Sequence, residues 1–153
     1  MAFIKEATFY ISSEIDTLDG AGLPEGERES EKQTAAGFLH DMRDGSFLLT
    51  YAVGEGEERV VTDISVSREG VLTLKRVGGI SSVMVFELGK EYKTVYSIPP
   101  YSFDMTLITK RLDIALKGDG GEIRLIYRMN VGGAEKQVKM TIRAVPGEAR
   151  LGA

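Results

Sequence analysis

The stretch Glu122-Ile123-Arg124-Leu125-Ile126-Tyr127-Arg128-Met129-Asn130-Val131, with Gly132-Gly133 and then Gln137-Val138-Lys139-Met140-Thr141-Ile142-Arg143-Ala144, decides the fold. Ile123, Leu125, Tyr127, Met129 and Val131 share one parity, and Glu122, Arg124, Arg128 and Asn130 fall on the other with Ile126. Side chains alternate across a strand, so an apolar set with a period of two marks a half-buried β-strand. Val138, Met140, Ile142 and Ala144 repeat the pattern against Gln137, Lys139, Thr141 and Arg143. The glycine pair between the two runs is a hairpin turn.

The same period extends outward through the chain. Leu112, Ile114 and Leu116 alternate with Arg111, Asp113 and Lys117, and Phe103, Met105 and Leu107 before them alternate with Asp104, Thr106 and Ile108. Pro99-Pro100 interrupts the ladder, because proline supplies no backbone donor. Upstream lie Met84, Phe86 and Leu88, then Leu72 and Leu74, then Ile64 and Val66, then Phe47, Leu49, Tyr51 and Val53. Asp44-Gly45 is a turn signal. Phe3, Ala7, Phe9, Ile11 and Ile15 form the first strand. The polar run from Asp16 to Arg28, with Gly20, Gly22, Pro24 and Gly26, reads as a flexible hairpin loop. A second strand from Glu29 to Met42 then puts Ala36, Phe38, His40 and Met42 on its inward parity. No window gives a long amphipathic helix, and no internal repeat divides the chain. About ten closely spaced strands point to a sandwich or barrel. Tight hairpin linkage favours an up-and-down order, and closure removes exposed edges. The expected organisation is one barrel domain over residues 1–145 and a flexible tail over 146–153.

Composition narrows the chemistry. The chain has 153 residues, no cysteine and one histidine. Disulfides, thiolate metal sites and cysteine nucleophiles are therefore excluded, and a reducing cytoplasm fits. No cofactor is expected. The formal charge of −4 implies no basic face for nucleic acid. No apolar run approaches the roughly 18 residues of a membrane helix. The start Met1-Ala2-Phe3-Ile4-Lys5-Glu6 enters a strand pattern directly and reads as no signal peptide. Basic residues concentrate in the second half, while glutamates crowd the first.

Several short segments carry a resemblance. They are Leu74-Lys75-Arg76-Val77-Gly78, Ser82-Val83-Met84-Val85-Phe86-Glu87-Leu88-Gly89-Lys90, Tyr96, Pro99-Pro100-Tyr101, Thr109, Gly121-Glu122-Ile123-Arg124-Leu125-Ile126-Tyr127 and Met140-Thr141-Ile142. Gly37-Phe38-Leu39 and Leu48-Leu49-Thr50-Tyr51 belong with them. Over residues 3 to 145 the chain resembles the YwiB-like family of small bacterial proteins. The family tends to have Thr-Pro-Tyr/Phe-Gly where this chain reads Pro99-Pro100-Tyr101-Ser102, and acids where it reads Ala52-Val53. The resemblance implies a lipocalin-like (calycin-like) β-barrel and no established catalytic residues. The expected fold class is thus all-β: a single antiparallel, mostly up-and-down, lipocalin-like (calycin-like) barrel of about 8–10 strands.

Five residues are candidates for a ligand site. Arg76 shares parity with Leu72 and Leu74, and a guanidinium facing a barrel interior needs a partner. Its fork of donors suits a carboxylate or phosphate at the mouth, although a strand end at Val77-Gly78 would release it to solvent or to a fixed carboxylate. Tyr51, Tyr96 and Tyr127 fall on inward parities and either line a pocket or fill the barrel. His40 has the same two readings, ligand contact or ordinary strand-end histidine. It lacks the nucleophile and orienting partner that a catalytic base needs. Glu55-Gly56-Glu57-Glu58 lacks calcium-loop spacing, and Gly118-Asp119-Gly120-Gly121 opens no helix, so neither reads as an ion or phosphate site. These readings point to a non-enzymatic cytoplasmic binder of a small molecule in the barrel interior or mouth, monomeric or a weak homo-oligomer, with no nucleic-acid or membrane partner. The alternative is a solid barrel acting through its surface as a protein-interaction module.

Overall fold

The computed structural model describes residues 3–147. Ten strands follow in chain order: β1 (Phe3–Leu18), β2 (Pro24–Asp41), β3 (Phe47–Val53), β4 (Val60–Val66), β5 (Leu72–Gly78), β6 (Ser82–Phe86), β7 (Glu91–Ile98), β8 (Tyr101–Lys117), β9 (Gly120–Val131) and β10 (Ala134–Pro146). They form one antiparallel sheet in the order β6-β5-β4-β3-β2-β1-β10-β9-β8-β7. Every consecutive pair except β6 and β7 is a hairpin, and the β1–β10 ladder joins the two halves. The sheet curls into a nearly closed barrel, which fits the expected all-β, up-and-down order. Helical turn is confined to Gly56–Glu58 among the described residues, and no helix is long and apolar enough to cross a membrane.

The last gap in the barrel lies between β6 and β7. No ladder joins them; Ser81 and Ser97 exchange two backbone hydrogen bonds of 2.9 Å at one end. At the other end Gly89 N–H donates to the Thr109 carbonyl at 2.9 Å, and Thr109 N–H donates to the Lys90 carbonyl at 3.3 Å.

Three features depart from the sequence reading. First, the long loop at Asp16–Arg28 shrinks to the turn between Leu18 and Pro24. Asp19 Oδ1 accepts the N–H groups of Ala21 and Leu23 at 2.8 and 3.0 Å, which fixes the turn. The strands on either side pair with each other as a ribbon past the end of β3, whose ladder to β2 stops at Gly37–Tyr51. Arg28 clamps Glu14 and Asp16 across this ribbon at 2.9 Å. Residues 24–34 on the β2 side are all exposed, so that arm of the ribbon carries no alternation to read.

Second, β2 faces the other way. Ala35, Gly37 and Leu39 point inward, opposite Phe9, Ala7 and Leu49, while Ala36, Phe38 and His40 point outward. Phe38 is 46% exposed. The larger side chains misled the parity: at Gly37 a Cβ would fall on the Thr50 carbonyl and lie 2.9 Å from Tyr51 Cα. Only glycine fits that inward position. Third, the two apolar runs at 103–107 and 112–116 are one strand. A bulge between Thr109 and Arg111 adds one residue and exchanges the parities, so both runs face inward.

Leu88, grouped by parity with Met84 and Phe86, lies beyond β6 and is exposed. The expected tail begins inside β10 at Pro146, and residues 148–153 lie outside the described residues.

The register stacks the interior in rows of cross-strand partners. Leu39, Leu49, Ile64, Leu74 and Met84 form one row across β2 to β6, each at most 2% exposed. Phe9, Phe86, Ile123, Leu125 and Ile142 fill the same half of the barrel. Buried apolar area of this kind is the main stabilising term, since each such side chain contributes about 1.5–3 kcal/mol. That half is solid.

Candidate functional site

One register step toward the opposite end, the row changes character. Gly37, Tyr51, Thr62, Arg76 and Ser82 are consecutive direct partners across β2 to β6. The apolar row is therefore a floor, and above it lies a polar belt. From there the barrel is open: a cavity of about 620 Å³ occupies the end bounded by the β1–β2, β3–β4, β5–β6, β7–β8 and β9–β10 turns. Arg76, Tyr51, Tyr96 and Tyr127 all line it.

The structure thus brings four of the five candidate residues together. His40 is excluded from the group. It sits on the outer face of β2 between Ile4 and Leu48, for the parity reason given above.

The tyrosines are half core and half site. Tyr51 and Tyr127 are 5% and 4% exposed. Their rings lie 5.4 Å from Phe9 and 4.8 Å from Phe86, so the core fixes their orientation. Burial pushes the Tyr127 phenol up to about 12, opposed by the Arg76 charge and reinforced by Tyr96. Burial also raises Tyr51, against the pull of Arg76 and the Thr62 hydroxyl. Both therefore hold their protons across the physiological range and present neutral O–H groups.

Arg76 is half-buried, and its guanidinium makes no salt bridge and no hydrogen bond among the described residues. A guanidinium is always charged and carries five donors and no acceptor. The Ser82 hydroxyl directly across from it is buried without a partner, as is that of Thr109 across from Tyr127. The belt thus sets a guanidinium among hydroxyls and contains no carboxylate.

The rest of the lining is mostly apolar. Four of the chain's six methionines, Met84, Met105, Met129 and Met140, face the cavity. Methionine is flexible and polarisable, so such a wall adapts to different shapes. Glu31, Glu58 and Lys136 add charge nearer the mouth. Glu58 belongs to the acidic run 55–58, which forms the β3–β4 turn. No group of three or more potential metal ligands occurs among the described residues.

Thr62 and Ser82 were not singled out in the sequence, and Glu58 was read only as part of the acidic turn. Thr62 and Ser82 carry no signal of their own; only their register with Arg76 marks them.

Known proteins resemble the chain mainly in fold. The crystal structure of the ywiB protein from Bacillus subtilis superposes with a TM-score of 0.79 at 23% identity, covering 94% of this chain and 93% of that one. That likeness establishes the barrel and nothing about chemistry. No curated protein matches the chain. The model of a domain of unknown function, DUF1934, matches residues 18–142, and the chain therefore belongs to the DUF1934 family.

Proposed function

We propose that this protein is a non-enzymatic binder of a small molecule held in the open half of its barrel. The observation that carries the reading is Arg76, a half-buried cation without a counter-ion, in the wall of a cavity of about 620 Å³. Ligand sites commonly occupy about 300–1,000 Å³, with mostly apolar linings and a few fixed polar groups. Fold alone assigns no function, so the weight rests on these side chains. The rival reading, a solid barrel acting through its surface, has less support because only one half of the interior is filled. A cytoplasmic setting is part of the proposal and rests on the absence of cysteine.

The methionines supply the test. The protein is labelled at its methionine methyl groups and titrated with a small-molecule filtrate of host extract. Signals of Met84, Met105, Met129 and Met140 should move. Met42, outside the cavity lining and 38% exposed, should not. An unchanged spectrum, or movement of Met42 alone, would overturn the reading.

A further inference from the structure

Resting on that reading, we infer that the cavity takes a monoanionic carboxylate with an extended apolar body, its carboxylate on Arg76. Three observations converge. The first is the missing counter-ion of Arg76. Arg76, Tyr51 and Tyr127 line one cavity, above a floor of Leu74 and Met84 that offers no anionic side chain. A carboxylate matches the guanidinium fork with two parallel hydrogen bonds, and the neutral phenols add donors.

The second is the charge of the lining. Arg76 and Lys136 stand against Glu31 and Glu58. The two acids oppose a second negative charge near the mouth, which favours a monoanion over a phosphate dianion.

The third is an apolar track that continues past the mouth. Tyr96 lines the cavity, and its cross-strand partner is Phe103; Ile98 and Tyr101 are the next partners on the same face. Ile98, Tyr101 and Phe103 are 42%, 65% and 40% exposed. A polar or compact ligand would leave this face uncovered. A long apolar tail leaving the cavity would cover it and lie along the β7–β8 hairpin.

Calorimetry with octanoate, octan-1-ol and octyltrimethylammonium at neutral pH tests the inference, with the labelled methionines reporting where each probe sits. Wild-type protein should bind octanoate roughly tenfold or more tighter than octanol, as expected for a charge-assisted pair. Arg76→Gln should remove that preference while leaving octanol binding in place. Phe103→Ser should weaken both probes alike. Equal binding of octanoate and octanol by the wild type would overturn the inference, as would a preference that survives Arg76→Gln. In either case the methionine shifts would still show an occupied cavity, and the underlying reading would stand. If none of the three probes moves the cavity methionines, the carboxylate inference fails. The filtrate titration then decides the broader reading separately.

Discussion

Tyr127 ties the site to the stability of the whole barrel. Its phenol is 4% exposed and its folded-state value is pushed from 10.0 up to about 12. Between these values the native state keeps a proton that the unfolded chain releases. Stability from this group is thus fully present below about pH 10 and is lost as pH rises through about 12. A gap of two pH units corresponds to roughly 2–3 kcal/mol. Tyr51, also raised, acts in the same direction. Against a typical total of about 5–15 kcal/mol, this is enough to bring on alkaline unfolding in that window. Tyrosinate absorbance and far-ultraviolet circular dichroism, followed together on raising the pH, measure it. The last tyrosines should ionise only as the strand signal disappears. Tyr127→Phe should move the unfolding midpoint to higher pH and change stability at neutral pH by less than about 1 kcal/mol, because the hydroxyl makes no hydrogen bond. If every tyrosine ionised near its ordinary value with the strand signal intact, the burial argument would be refuted.

Two further predictions address the facing of the strands. Leu125→Asp and Ile142→Asp each place an unpaired carboxylate at a position 1% exposed, a cost of several kcal/mol that should abolish the cooperative thermal melt. Arg124→Asp loses an exposed 3.4 Å pair with Glu122 and sets a carboxylate across from Asp113 on the wet face, and should cost only about 1 kcal/mol; the reverse ranking would mean that β9 is misfaced. Gly37→Ala should destabilise by about 3 kcal/mol or more in urea titration, because the new methyl meets backbone on β3 and not a movable side chain. A near-neutral result would show that β2 and β3 separate easily there.

The barrel was legible wherever one face of a strand is dry and the other wet. That holds for β3, β9 and β10, and for Arg76, whose parity with Leu72 and Leu74 places it correctly in the interior. It fails in β2 for a packing reason. Beside Phe9 and Tyr51 the interior accepts only Ala35 and Gly37, so apolar bulk moves to the outer face at Phe38 and takes the apparent parity of His40 with it. It fails again where a bulge exchanges parities inside β8, since one inserted residue leaves no compositional trace. Tyr51, Tyr96 and Tyr127 could be assigned inward from alternation. Their meeting with Arg76 could not, because it depends on cross-strand register and barrel closure.

The unfinished join between β6 and β7 sets how the ring can deform. Widening a fully laddered barrel means shearing a continuous column of backbone hydrogen bonds. Here Ser81 is fastened to Ser97 at one end, Gly89 and Lys90 are fastened to Thr109 of β8 at the other, and no ladder joins β6 to β7 between them. The circumference behaves like a split collar. The Ser81–Ser97 clasp lies at the open end, close to Tyr96 and Arg76 in the chain and away from the apolar floor, and it consists of two hydrogen bonds. Amide exchange should be fastest along this join and slowest in β1, which is laddered on both sides. The gap that keeps the cylinder from closing is also the place where its rim is least tightly held.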